Sequence, residues 1–143
     1  MKLIDANVLL YAYGSQSPHH GVARRWLEQT LSSAAPVGLA WVTILAFLRI
    51  ATNARLDGAL SMPEAVAIVD EWLERPTVTI LEPTERHWLL LGQVLDAGQV
   101  RGPLVTDAHL AALAIEHGAT LCSTDRDFGR FPGLSLVNPL DEA

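Results

Sequence analysis

Runs of three to six apolar residues alternate with amphipathic stretches of ten or more, and that alternation leaves the chain few folds to choose from. KLID, VGLAW, TVTIL, ATLCST and SLVNP read as short strands. Between them, HHGVARRWLEQTLSS, VTILAFLRIAT, SMPEAVAIVDEWLERP, PTERHWLLLGQVLDAG and LVTDAHLAALAIEHG carry helical spacing. In VTILAFLRIAT, for example, Ile44, Phe47, Leu48 and Ala51 recur at intervals of three and four. The helix from Ser61 has a start signature: Ser61 as N-cap, Glu64 in the capping-box position and Pro63 in the first turn. Pro76 stops that helix, and Gly98 and Gly118 end the next two. Strands separated by helices predict an α/β domain with a mainly parallel sheet between helix layers. No repeat, low-complexity segment or linker interrupts residues 1–143, so a single domain is expected.

Composition narrows the chemistry. One cysteine, Cys122, excludes an internal disulfide, a Cys-based zinc site and a CxxC redox motif. Lys2 is the only lysine, so no later lysine can serve a site. A net charge of −6 argues against sequence-independent nucleic-acid binding but allows a local basic patch or acids neutralised by metal. No apolar run is long and uncharged enough to cross a bilayer, and the start carries no leader pattern. A cytoplasmic protein without a membrane partner is therefore expected.

In open parallel sheets, ligands bind beyond the carboxyl ends of the strands. Asp5 ends the first strand, Asp107 lies in the first turn of the DAHLAALAIEHG helix, and Asp125 and Asp127 follow ATLCST. Glu28, Asp70, Glu71, Glu74 and Glu85 instead fall on the polar sides of helices. Gathered carboxylates raise one another's pKa unless they are neutralised. Hard divalent cations such as Mg²⁺ or Mn²⁺ supply that neutralisation and favour oxygen ligands. An all-aspartate site thus suggests metal-dependent chemistry on phosphoryl groups. Taken singly, each acid has a plain alternative. Asp107 suits a helix dipole, Asp125 and Asp127 suit a turn, and Asn7 suits an Asx turn or cap as well as a residue orienting Asp5.

LIDANVLLYA, followed by LVTDAHLAALAIEHGATLCSTDRDFGRFPGLSLVNP, resembles the PIN-domain ribonucleases of the VapC toxin type. The likeness spans nearly the whole chain. It implies a three-layer α/β/α sandwich with a five-stranded parallel sheet. It also implies RNA cleavage with Mg²⁺ or Mn²⁺, leaving a 5′-phosphate and a 3′-hydroxyl, and inhibition by a VapB-like antitoxin. Residue by residue, Asp5 and Asp107 match the principal metal ligands, Asp125 the third, and Asp127 an accessory acid. Thr124 matches a hydroxyl residue suited to a water or phosphate, and Asn7 a small polar residue after the first ligand. Many relatives carry a glutamate a few residues before an arginine in the helix after the second strand. Aligned on Arg49, that position is Ala46, which puts a second metal in question. Dimerisation through helices of the first half, residues 22–50, is the expectation for such toxins.

In the mechanism this implies, Asp5, Asp107 and Asp125 hold one cation that polarises the scissile phosphate and activates a water for in-line attack, and Asp127 either orients that water or helps at a second metal. Arg24, Arg25, Arg49, Arg55, Arg126 and Arg130 are the cations available to RNA, with Arg126 and Arg130 nearest the acids. No histidine is required as a base. His109 reads as a packing or surface residue, and His117 as a cap at a helix end. Trp26, Trp41, Trp72 and Trp88 read as core or interface residues. A haloacid-dehalogenase-like phosphatase is a weaker alternative, since its second acid and late lysine are replaced by Asn7 and by nothing beyond Lys2. A PIN-like binding module without strong nuclease activity is the non-enzymatic alternative that Ala46 suggests.

Overall fold

The computed structural model describes residues 1–141. In chain order the elements are β1 (Lys2–Ile4), α1 (Ala6–Tyr13), α2 (His20–Ser32), β2 (Val37–Leu39), α3 (Trp41–Ala51) and α4 (Met62–Glu74). There follow β3 (Val78–Ile80), α5 (His87–Ala97), α6 (Leu104–Glu116), β4 (Thr120–Cys122), a 3₁₀ turn (Arg126–Arg130) and β5 (Leu136–Val137). The five strands form one sheet in the order β3-β2-β1-β4-β5, and every pair is parallel. The expected architecture is therefore present.

Strand order reverses at β1: the chain leaves it toward β2 and β3, then returns to its other side with β4 and β5. The crevice between the carboxyl ends of β1 and β4 is the topological switch point, where α/β sheets place their ligands. α6 leads directly into β4, so its first turn lies at that same edge.

Side-chain alternation along the strands divides the core into two layers. Ile4 and Cys122 face a cluster with Val8, Leu27, Phe47 and Trp72, while Leu3 and Leu121 face one with Ala111, Leu113 and Phe128. Alanines 108, 111, 112 and 114 are each fully buried, which brings the α6 backbone close to the sheet. The first layer centres on three aromatics. Trp72 lies with ring centroids 4.8 Å from Phe47 and 5.7 Å from Tyr13, and its Nε1 donates to the Tyr13 hydroxyl at 3.1 Å. Truncating Trp72 to alanine should cost about 3–5 kcal/mol, enough to consume much of a small domain's stability. Urea unfolding followed by circular dichroism would register that as a large fall in midpoint, and a near-unchanged midpoint would contradict this packing.

Local chemistry agrees with the α4 start: Ser61 Oγ accepts from the Glu64 N–H at 3.2 Å, and Glu64 accepts from the Ser61 N–H at 3.0 Å. Two boundaries differ from expectation. Trp41 opens α3 instead of ending β2, because Ala40 already accepts the first helical hydrogen bonds from Thr43 and Ile44. The Pro83–Arg86 stretch precedes α5 as a turn, with the Thr84 carbonyl accepting from the His87 N–H. The apolar run after Asp5, which lacks clear periodicity, is helix α1.

Candidate active site

Asp5 is the N-cap of α1, in extended conformation at φ −79° and ψ 156°. Its own N–H donates to the Cys122 carbonyl at 3.0 Å, so ladder pairing with β4 holds its backbone until the chain turns into the helix. Its Oδ1 accepts from the Ala6 N–H at 2.7 Å and its Oδ2 from the Ser123 hydroxyl at 2.8 Å. Capping the helix and bonding to Ser123 together fix the carboxylate at the strand end.

Ser123 is the centre of the network and was not among the sequence-derived candidates. It is 2% exposed. Besides donating to Asp5, its oxygen accepts from Asn7 Nδ2 at 3.2 Å and from the Asp125 N–H at 3.0 Å. One donor and two acceptor positions are a hydroxyl's full capacity. Asn7 closes the loop by accepting the Thr124 N–H at 3.3 Å on its Oδ1. Asn7 therefore ties the end of β4 to the start of α1, and Thr124 takes part through its backbone. Asp125 caps the 3₁₀ turn, its Oδ1 accepting from the Asp127 N–H at 2.9 Å.

The fourth carboxylate arrives from α6. Burial, then the negative charges of Asp125, Asp5 and Asp127, push the Asp107 carboxyl up to about 6, with Arg130 opposing them. The Asp5 carboxyl is also raised, chiefly by burial, against the hydrogen bonds from Ser123 and Ala6 and with a contribution from Asp125. The other three sequence-predicted acids therefore all lie within electrostatic reach of Asp107 at the switch point. Ala46 is half-buried on α3 and adds no carboxylate there.

A gathering of mutually repelling oxygen donors with one opposing guanidinium suits a hard divalent cation. Among the described residues, no three His, Cys, Asp or Glu side chains form a ready-made ligand group. An ion held here would draw part of its shell from water, as Mg²⁺ does in most protein sites.

The histidines lie apart from this centre. His87 is buried; its Nδ1 meets Glu116 Oε1 at 3.1 Å and its Nε2 meets His109 Nδ1 at 2.9 Å. Glu116 also accepts from the Thr84 N–H and hydroxyl, both at 3.2 Å. This chain clamps α5 to α6. His117 sits at the α6 C-cap with Nε2 on the Glu82 carbonyl at 2.7 Å. Replacing His109 with alanine should lower stability by about 1–2 kcal/mol and leave cleavage of a test RNA within a few-fold of wild type. A collapse in cleavage without a matching fall in melting temperature would make His109 part of the chemistry.

Of the arginines, Arg24 is committed to Glu28 at 2.8 Å and stacks over Tyr13. Arg126 and Arg130 are exposed beside the acids, as their sequence positions suggested. Among the described residues, no helix is long and apolar enough to cross a membrane.

A PIN domain family model matches residues 2–134. The chain is 46% identical over 140 residues to ribonuclease VapC37 of Mycobacterium tuberculosis, covering 97% of each. It is 39% identical over 143 residues to ribonuclease VapC33 of the same species, covering 99% of this chain and all of the other. Among solved structures, VapBC2 from Rickettsia felis bound to a DNA fragment from its promoter aligns with a TM-score of 0.70 at 17% identity, covering 96% of this chain and 97% of that one. The whole-chain match places the fold apart from that of a haloacid-dehalogenase-like phosphatase, and the chain is a member of the PIN-domain family, within its VapC group.

Proposed function

We propose that this chain is a Mg²⁺-dependent endoribonuclease, also served by Mn²⁺, and the toxin of a VapBC-like toxin–antitoxin pair. The observation that carries the proposal is the convergence of Asp5, Asp125 and Asp127 on Asp107 at the switch point, where burial together with their charges pushes the Asp107 carboxyl up to about 6. The relatives named as ribonucleases, similar over the whole chain, support RNA as the substrate.

Asp5, Asp107 and Asp125 would hold the cation. When bound, such an ion supplies positive charge to a scissile phosphate and lowers the pKa of a water. The chain's own contribution is orientation. The Ser123 hydroxyl and the Ala6 N–H fix both Asp5 oxygens. The bond from the Asp127 N–H holds one oxygen of Asp125. Asp127, exposed beside Asp125, would orient the attacking water or help at a second metal. Arg126 and Arg130 are the cations through which an acidic protein can meet an RNA backbone.

A VapB-like antitoxin is the proposed partner, and a homodimer the proposed state, in the cytoplasm. Exposed apolar side chains on α3 and α5, namely Trp41 at 51%, Leu45 at 60%, Trp88 at 78% and Leu89 at 63%, are the surface we assign to the second copy. Of this surface only α3 falls within residues 22–50, the span expected from sequence, and α5 lies beyond it.

One observation favours a second reading, a binding module with weak activity: the absence of a carboxylate at Ala46. A cleavage assay with Mg²⁺ or Mn²⁺ separates the two. Wild type should cut RNA, chelation by EDTA should stop it, and Asp5→Ala and Asp107→Ala should each lower the rate by at least about a hundredfold. Wild type without activity, or variants as active as wild type, would defeat the nuclease reading.

A further inference from the structure

Beside the acids, a cleft of about 260 Å³ opens between the end of β4 and the chain beyond β5. Ser123, Thr124, Asp125 and Arg126 form one wall, and Leu136, Asn138 and Asp141 the other. We infer that this cleft receives one RNA base next to the scissile phosphate, and that Asn138 and Asp141 select guanine there. The inference rests on the nuclease reading and names what the site would prefer to cut.

Size and charge point to a base and away from a phosphate. The volume is below the roughly 300–1,000 Å³ of sites for drug-sized ligands, so a single ring system is the suitable occupant. Two acidic residues, Asp125 and Asp141, line the cleft with one basic residue, Arg126, and that balance disfavours a further anion. An uncharged heterocycle has no such penalty. Leu136 offers an apolar surface, and the Arg126 guanidinium a plane on which a base can stack. Asp125 belongs both to the acidic centre and to the cleft wall, so an occupant would lie directly beside a phosphate at the acids.

The far wall has a defined polarity. Asn138 Oδ1 accepts from the Leu140 N–H at 3.0 Å, which assigns its amide orientation and leaves Nδ2 as a donor. The Asp141 N–H donates to the Asn138 carbonyl at 3.0 Å, so one tight turn carries both side chains. A carboxylate only accepts, and an amide NH₂ only donates. Guanine alone among the four bases presents two adjacent Watson–Crick donors, N1–H and N2–H₂, next to an acceptor, O6. A carboxylate can take both donors while an amide serves the acceptor. Uracil offers one donor beside an acceptor, and adenine and cytosine each offer one amino group beside a ring acceptor. The carboxylate and amide at the start of α1 do not offer such a pair, because the oxygens of Asp5 are committed to Ala6 and Ser123 and the amide of Asn7 to Ser123 and Thr124.

The test is cleavage of a randomised single-stranded RNA pool with Mg²⁺, with the cut ends sequenced for wild type, Asn138→Ala and Asp141→Asn. Wild type should show guanine enriched at one position flanking the cut. In both variants the preference for guanine over the other bases should fall about tenfold or more. Asp141→Asn is the sharper of the two, since it retains shape while turning part of an acceptor into a donor. Melting curves for each variant would exclude unfolding as the cause. If wild type cuts with no base preference beside the scissile bond, or both variants keep the wild-type preference, this inference is overturned and the nuclease reading stands. If wild type cuts no RNA at all, both fall together.

Discussion

Asp107→Asn should abolish RNA cleavage and, at pH 7 to 8 without metal, should melt at a higher temperature than wild type. The two effects have one origin. The Asp107 carboxyl is raised from 3.8 to about 6 by burial and by the charges of Asp125, Asp5 and Asp127. Because the folded pKa exceeds the unfolded one, ionising this group favours unfolding. The cost is absent below about pH 4, grows between pH 4 and 6, and is complete above that window. Metal-free wild type should therefore lose stability over that range, and the asparagine variant should lose less of it. A shift of that size would be worth about 3 kcal/mol if fully credited. Asp107 is only half-buried, and solvent screening reduces this to about 1 kcal/mol, or a few degrees in melting temperature. Adding Mg²⁺ should raise the melting temperature of wild type by mass action and that of the variant much less. Activity should fall by about a hundredfold or more, since a ligand and a charge are lost together. A variant that melts lower than wild type at neutral pH without metal would show that the acids are not held in mutual repulsion.

The same acids explain which parts of the molecule were readable in the sequence. Helix α4 was legible to the residue at its start because Ser61, Pro63 and Glu64 act within one turn. The parallel sheet was legible because short buried strands separated by helices have few other solutions. Helix α1 was harder. ANVLLYAY is apolar on several sides, being covered by α2 and α3 as well as by the sheet, so periodicity had no polar face to mark it. Trp41 was read into β2 because an apolar residue after a buried strand looks like more strand, whereas its backbone starts a helix.

The placement of Asp5, Asp107, Asp125 and Asp127 was legible from residue type and position within an element. Each terminates a strand or opens a helix or turn at the same sheet edge. Ser123 left a weaker signal. In ATLCST the hydroxyl residues 123 and 124 are adjacent and fall on opposite faces of the strand. Alternation does not choose between them, because two residues on from buried Leu121 is Ser123 and two on from equally buried Cys122 is Thr124. What no pattern showed is that this serine meets Asp5, 118 residues away in the chain, because that contact depends on the β1–β4 register pairing Ile4 with Cys122. Asp141 was likewise hidden, since only the fold brings the chain after β5 back beside Asp125.

Ser123→Ala should lower cleavage by about ten- to a hundredfold at limiting Mg²⁺, with part of the loss recovered as Mg²⁺ is raised. The substitution removes one oxygen but disturbs three groups. Asp5 Oδ2 loses its donor, and that hydrogen bond is the largest influence holding the Asp5 carboxyl down against burial. The carboxyl should therefore rise further, which weakens its hold on a cation at neutral pH. Asn7 Nδ2 and the Asp125 N–H lose their acceptor at the same moment. Leaving such groups unsatisfied costs about 1–3 kcal/mol, so the melting temperature should drop by several degrees. A purely structural serine would produce that drop with a cleavage defect independent of Mg²⁺ concentration. A positioning serine gives a defect that shrinks as Mg²⁺ rises and grows as pH falls, because protons and metal compete for Asp5. Thr124→Ala leaves the backbone bond to Asn7 in place and should fall by less. Equal defects at the two positions, or a Ser123→Ala loss unaffected by both Mg²⁺ and pH, would mean that the carboxylates are held by something other than the Ser123 hydroxyl.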